Sequence, residues 1–430
     1  MPIRVLIVDD SALMRRALTA LLISDPEIEV VGTAADGRAA IEQVVTLRPD
    51  VITMDVRMPV LDGAQTTEHI MAYYPTPILV LTASLSSFDI DITFRMLGLG
   101  ALDVMEKPSS ADPNGLQQAR AELIKRVKLL SRVRVVTHLR GRRRGTEDTQ
   151  PRASTSDTGR LRRNNRGSRT LPSPTTHRQT RGLRPPTGTL GSSKHQDSTP
   201  LNRPLTSTET LRRSHGARLL QPEDVVSVPM GRTSLGAAER LIVIGASTGG
   251  PRVVQHILRE LPESLPASVL LVQHIADGFA AGLVDWLASS CRLPVVLAKS
   301  GDVAVPGRVF VAPDNLHLLI DTDGVLGVSS QPALLQRPSV DVTMQRAAEA
   351  YRSRTIGVLL TGMGRDGAAG MAAIYREGGH TIAQNGETCV VYGMPKAAVE
   401  AGVVLETLNP ESIAGRLQML LRDSFAKERR

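Results

Sequence analysis

Three polar residues each follow a short apolar run. Ser247 lies in Leu241–Pro251 (LIVIGASTGGP), His274 follows Ser268–Gln273, and Asp366 lies in Thr361–Gly367 (TGMGRDG). A serine hydroxyl is a poor nucleophile until a base removes its proton. Histidine is the base suited to neutral pH, and a carboxylate holds its tautomer and steadies the imidazolium. Glycines around Ser247 and Met363 leave backbone N–H groups free to meet an oxyanion. If the three preceding strands are neighbours in a parallel sheet, the set suits acyl transfer. Gly245–Gly249 also fits G-x-S-x-G, a sharp strand-to-helix turn that lifts a serine out of the sheet edge. A small-residue turn packing a helix on a strand, or a phosphate-cradling loop, reads the same way. His317 and His380 are competing bases, but one sits inside a hairpin-like strand and the other begins a strand. Asp341 competes with Asp366, yet Ser339-Val340-Asp341 reads as a helix start. The order Ser…His…Asp also differs from the Ser…Asp/Glu…His of α/β-hydrolases and disfavours that fold.

A second constellation lies near the N-terminus. Asp9 and Asp10 end a first apolar run, Asp55 ends a third, Thr82 a fourth, and Lys107 follows a fifth. Clustered carboxylates favour a hard divalent cation with oxygen ligands such as Mg²⁺. A lysine ammonium and a threonine hydroxyl beside them can engage a carboxylate or a phosphoryl group. The alternative is an ordinary acidic rim on an α/β domain.

The elements that must position these residues alternate. Strands are expected at Ile3–Val8, Ile28–Gly32, Val51–Met54, Ile78–Leu81 and Ala101–Met105, with helices at Ala12–Ile23 (capped by Ser11), Arg38–Leu47 and Asp91–Leu99. Gly115–Val136 reads as a closing helix. The second half repeats the alternation, with a hairpin-like Asp-Thr-Asp-Gly between Leu316–Ile320 and Val325–Val328. The fold class is α/β: two doubly wound parallel-sheet domains, flavodoxin-like over 1–125 and Rossmann-like over 237–425, joined by a disordered linker over 126–236. In such sheets functional residues lie at the carboxyl ends of the strands.

The linker accounts for the charge. The whole chain carries a formal +8, but residues 132–218 hold 19 Arg and 1 Lys against 5 acids, so the remainder is net acidic. Arg, Ser, Thr, Pro and Gly without large apolar residues cannot offset the entropy of ordering. No aromatic interleaving accompanies the arginines, so no specific nucleic-acid partner is expected. A transcriptional output would need a helix-turn-helix after the first domain, and none is visible. Two cysteines, Cys291 and Cys389, offer no disulfide framework and fit a reducing cytoplasm. No signal-peptide pattern and no apolar run of about 18 residues is seen, so no membrane insertion is expected.

VLIVDDS, MDVRMPVLDG, LTAS and the EKP at Glu106–Pro108 resemble a response-regulator receiver domain over roughly residues 3–125. The resemblance implies that Asp55 accepts a phosphoryl group from a chemotaxis sensor histidine kinase. It implies that Asp9, Asp10 and Asp55 hold Mg²⁺ with the Arg57 backbone carbonyl, and that Thr82 and Lys107 contact the phosphoryl group. That family usually has an aromatic residue three before the lysine, where this chain has Val104.

IGASTGGP, VQHI, RPSVDV, LLTGMGRDGAAGM and VYGMPKAA resemble the chemotaxis protein-glutamate methylesterase domain over about residues 238–422. The resemblance implies hydrolysis of glutamate methyl esters, and deamidation of glutamines, on methyl-accepting chemoreceptors, with no cofactor for the esterase. Receptors of a non-chemotaxis signalling array are the alternative substrate. Ser247 is then the nucleophile, His274 the base, Asp366 its orienting partner and the Met363 N–H an oxyanion donor, with Thr248 beside the nucleophile. It also implies that the unphosphorylated receiver covers the esterase site and that phosphorylation of Asp55 raises activity. Ile275-Ala276, Leu297-Ala298 and Asp314 depart from the usual Met-Pro, Glu-Ala and glycine; none is a triad residue.

Overall fold

The computed structural model describes residues 1–83, 87–108, 113–133, 135, 236–334 and 336–428. The N-terminal domain alternates strands β1 (Ile3–Val8), β2 (Ile28–Ala34), β3 (Val51–Asp55), β4 (Ile78–Thr82) and β5 (Asp103–Glu106) with helices α1 (Ala12–Leu22), α2 (Gly37–Leu47), α3 (Gly63–Tyr73), α4 (Ser87–Leu99) and α5 (Pro113–Leu130). The strands form one parallel sheet in the order β2-β1-β3-β4-β5. β3 and β4 are buried along their whole length, as continuous apolar strands covered on both faces must be. Ser11 caps α1 as expected, its hydroxyl accepting from the Met14 N–H. Helix α3 is an element the apolar pattern did not reveal. Its start is fixed by a capping box in which Asp62 and Gln65 satisfy each other's backbone N–H groups. Helix α5 runs to Leu130, so residue 125 falls inside it. From residue 136 to residue 235 the expected linker lies outside the described residues.

The C-terminal domain carries β6 (Leu241–Ala246), α6 (Gly250–Glu260), β7 (Ser268–Gln273), α7 (Ala280–Ala288), β8 (Val295–Leu297) and β9 (Val309–Val311). The hairpin β10 (His317–Ile320) and β11 (Leu326–Ser329) follows, then α8 (Val340–Tyr351), β12 (Thr355–Leu359), α9 (Ala368–Arg376) and β13 (His380–Gln384). The chain closes with α10 (Met394–Glu400), β14 (Glu406–Leu408) and α11 (Pro410–Glu428). Seven strands make a parallel sheet in the order β14-β13-β12-β6-β7-β9-β8, and β10 and β11 pair separately as an antiparallel ribbon. The chain starts at the sheet centre, winds outward through β7, and returns to β12 on the other side of β6. Strand order therefore reverses at β6, where the carboxyl ends of an open α/β sheet form a crevice.

The two domains belong to one compact unit. Phe94 of α4 is fully buried between Trp286 of α7 (stacked, centroids 5.6 Å apart) and Phe279 just before it (edge-on, 6.3 Å). Such contacts contribute about 0.5–1.5 kcal/mol each beyond area burial. Gly282 of α7 lets the helices approach, since a Cβ there would stand 1.9 Å from Ile90 Cγ2.

Candidate active site

The strands preceding Ser247, His274 and Asp366 are adjacent. β6 pairs with β7 from Leu241↔Ser268 to Ala246↔Gln273, and with β12 from Thr355↔Leu241 to Leu359↔Gly245. The parallel register brings all three residues to one sheet edge. Ser247 is fixed by backbone bonds: its N–H donates to the Thr361 carbonyl at 3.0 Å, and its carbonyl accepts from the Gly250 N–H at 2.7 Å. Gln273 is buried and spans the turn, its Nε2 donating to the Ser247 and His274 carbonyls at 2.9 Å each. Gly249 takes the left-handed conformation that the turn requires (φ 77°), and a side chain there would strike Val390. Gly362 is pressed against the serine, for a Cβ there would lie 2.7 Å from Ser247 Cβ.

His274 Nε2 meets Asp366 Oδ2 at 2.9 Å. Burial alone would push the Asp366 carboxyl up, but the His274 imidazole and the Asp341 and Val340 N–H groups outweigh it and hold the pKa down to about 2. Asp366 is therefore an anion and an acceptor, so Nε2 carries the proton. Nδ1 is then the basic nitrogen; it is buried and has no hydrogen-bond partner among the described residues. Met363 lines the same cavity of about 380 Å³ as Ser247, Thr248 and His274.

The competing residues have other partners. His317 is fully buried, its Nδ1 accepting from the Ser339 N–H (3.1 Å) and its Nε2 2.8 Å from the Pro332 carbonyl. His380 pairs with Glu406 at 2.6 Å, between β13 and β14. Asp341 accepts from the Gly367 and Gly370 N–H groups at 2.9 and 2.7 Å. Burial pushes the Cys389 thiol up to about 12, which makes it a poor nucleophile. Of the departures from the family pattern, Ile275 lines the cavity, while Asp314 accepts from the Ala280 N–H at the start of α7 (3.4 Å).

Residues that the sequence did not single out also contact or line the site. Asp103, on β5 of the N-terminal domain, accepts from the Thr248 hydroxyl at 2.8 Å. Arg126 of α5 pairs with Asp103 at 3.0 Å and donates to the Val104 carbonyl at 2.8 Å. The Gly249 N–H donates to the Leu102 carbonyl at 3.1 Å. Asp103, Glu122, Lys125 and Arg126 line the cavity that holds Ser247 and His274. No local pattern reveals this, because the partners lie 145 residues apart along the chain.

The acidic residues of the N-terminal domain also converge. Oxygens of Asp9, Asp10 and Asp55 lie within 4.8 Å of one another. Lys107 Nζ lies 2.7 Å from Asp9 Oδ2 and 2.9 Å from Asp55 Oδ2. Burial pushes the Asp55 carboxyl up, in spite of Lys107. Burial works against the Lys107 charge, yet Asp55 and Asp9 hold its pKa above the usual lysine value. Thr82, buried at the end of β4, accepts the Lys107 N–H at its carbonyl (2.7 Å). Three carboxylates, Asp9 and Asp55 buried and Asp10 exposed, suit a hard divalent cation. Arg57 pairs with Asp89 of α4. Among the described residues no helix is long and apolar enough to cross a membrane.

Comparison with known proteins agrees with this division. Residues 5–119 match the response regulator receiver domain, and residues 242–417 match CheB methylesterase. A protein-glutamate methylesterase/protein-glutamine glutaminase of Symbiobacterium thermophilum is 38% identical over 96% of this chain and 95% of its own length. A second protein of that name from Anaeromyxobacter dehalogenans is 38% identical over 98% of each chain. The crystal structure of the Thermotoga maritima CheB methylesterase catalytic domain is 40% identical, with a TM-score of 0.41, over 42% of this chain and 98% of that one. With relatives of this identity along nearly its whole length, the chain belongs to the protein-glutamate methylesterase/protein-glutamine glutaminase family, the CheB enzymes that couple a receiver domain to a hydrolase.

Proposed function

We propose that this chain is a phosphorylation-regulated serine hydrolase of the cytoplasm. It removes methyl groups from glutamate side chains, and ammonia from glutamine side chains, on methyl-accepting chemoreceptors. The observation that carries the reading is the His274–Asp366 pair, whose members follow the two strands flanking the one that precedes Ser247. Ser247 Oγ attacks the ester carbonyl carbon as His274 Nδ1 takes its proton. The Met363 N–H is the donor to the developing oxyanion, and Thr248 is the residue next to the nucleophile. The tetrahedral adduct collapses, the proton passes to the leaving oxygen, and methanol departs; with glutamine, ammonia departs. Water then attacks the acyl-serine with the same base, releasing a glutamate carboxylate and restoring Ser247.

The N-terminal half supplies the control. Asp55 is the phosphoacceptor, fed by a sensor histidine kinase, and Asp9, Asp10 and Asp55 are the residues that would hold Mg²⁺. The ion, when bound, offsets charge on the acyl-phosphate oxygens. Thr82 and Lys107 engage the phosphoryl group. Both lie at the carboxyl ends of β4 and β5, and β5 also carries Asp103. Phosphorylation of Asp55 loosens the contact between Asp103 and Thr248 and opens the site. The receiver, linker and esterase are assigned to 1–125, 126–236 and 237–425.

Methanol release from methylated receptor tests the reading. Wild type should release it and Ser247→Ala should not; equal release by both would remove the esterase assignment.

A further inference from the structure

Asp366 and Asp341 exchange helix caps. Asp366 precedes α9 but sits on the start of α8: its Oδ2 accepts from the Val340 N–H (2.8 Å), and its Oδ1 from the Asp341 N–H (3.0 Å) and the Ser339 hydroxyl (2.8 Å). Asp341, in the first turn of α8, sits on the start of α9, where Gly367 offers no side chain of its own. One of the two N–H groups that Asp341 holds belongs to Gly367, the residue after Asp366. Gly367 is left-handed (φ 96°), and a Cβ there would strike Leu359 and Val340. The backbone that aims Asp366 at His274 is thus clamped from the far side by a second carboxylate.

We propose that Asp341 is a positioning residue for the esterase reaction: through the crossed caps its negative charge and its geometry hold Asp366 as a full acceptor for His274. The inference rests on the triad reading above. An ionised Asp341 can only accept, which leaves Asp366 to the imidazole. A protonated Asp341 donates to Asp366 and competes with His274. Burial first, and then Asp366 beside it, push the Asp341 carboxyl up to about 6, so its charge is present at neutral pH and lost below. Its charged neighbour is Asp366. Around His274 the other charges are Asp277 and Arg337 of the same domain, and Asp103, Glu122, Lys125 and Arg126 of the receiver.

The test uses the full chain with a phosphodonor, following methanol release from about pH 5 to about pH 9. Asp341→Asn keeps an oxygen for both N–H groups but carries no charge. Its kcat should fall about tenfold with KM unchanged, and the acid limb of kcat/KM should move down by roughly half a pH unit, since a nearby anion has gone. Asp341→Glu should return the limb to its wild-type position. A D341N profile that superimposes on wild type, or a limb displaced equally in D341N and D341E, overturns the proposal. If neither variant folds, aspartate-labelled NMR of the wild type decides. The Asp366 carboxyl signal should move as Asp341 titrates; an Asp366 signal indifferent to Asp341 overturns the proposal. Asp366→Asn separates the two readings: full activity in D366N removes the triad itself, whereas an inactive D366N beside a wild-type D341N removes only the role of Asp341.

Discussion

Gly282 offers a direct test of the closed arrangement. A Cβ added there stands 1.9 Å from Ile90 Cγ2 and 3.0 Å from Phe94 Cε2 of the receiver. Ordinary carbon contact needs about 3.5–4.0 Å. Ile90 is β-branched and sits in a helix, so its χ1 has little freedom to yield. Gly282→Ala must therefore push α4 and α7 apart by an ångström or more. Even a gap of about 0.5–1 Å forfeits a quarter to a half of each dispersion contact, and this includes the stacking of Phe94 on Trp286. Overpacking of this kind costs about 1–3 kcal/mol, which corresponds to an opening equilibrium shifted about 5–150-fold. Within α7 itself the change is favourable by about 1 kcal/mol, because glycine is a poor helix former. The penalty thus falls on the closed interface and spares the esterase fold. Initial rates of methanol release by unphosphorylated chain should rise in G282A by a factor within that range, while rates with a phosphodonor match wild type. An unphosphorylated rate equal to wild type, or a loss that persists with the phosphodonor, would refute the reasoning.

Other perturbations follow from the same geometry. Gly362→Ala places a Cβ 2.7 Å from Ser247 Cβ and 2.3 Å from Met394 Sδ; displacing the nucleophile should lower kcat at least about tenfold, with a Tm drop reflecting about 1–3 kcal/mol of overpacking. Chelation of divalent cations, or Asp55→Asn, should abolish phosphoryl incorporation from a small-molecule donor yet leave unphosphorylated methanol release unchanged. Esterase activity lost on chelation would place a cation in the hydrolase site instead.

Much of the fold was legible because a parallel strand buried on both faces must be a continuous apolar run. β1, β3, β4, β6, β7 and β12 announce themselves that way. Helix α3 did not, since its start depends on a capping box of two polar residues, Asp62 and Gln65, rather than on an apolar stripe. The three-residue strands β8 and β14 also escaped, being edge strands too short to carry a pattern. The closing helix ends at Leu130, short of the expected Val136, because apolar periodicity does not mark a helix terminus.

Residue type and position after a strand determined which side chains were candidates: Ser247, His274 and Asp366 in one half, Asp9, Asp10, Asp55, Thr82 and Lys107 in the other. Local chemistry suffices for that, since strand ends are where an α/β sheet exposes polar groups. The tertiary structure decided which candidates meet. Parallel pairing of β12, β6 and β7 joins His274 to Asp366, and it leaves His317 and His380 to carbonyl and carboxylate partners elsewhere. It also decided what no local pattern contains: the receiver's Asp103 on Thr248, and the exchange of caps between Asp341 and Asp366. Those contacts join residues far apart in the chain, and only the packing of one element on another brings such residues within hydrogen-bonding distance.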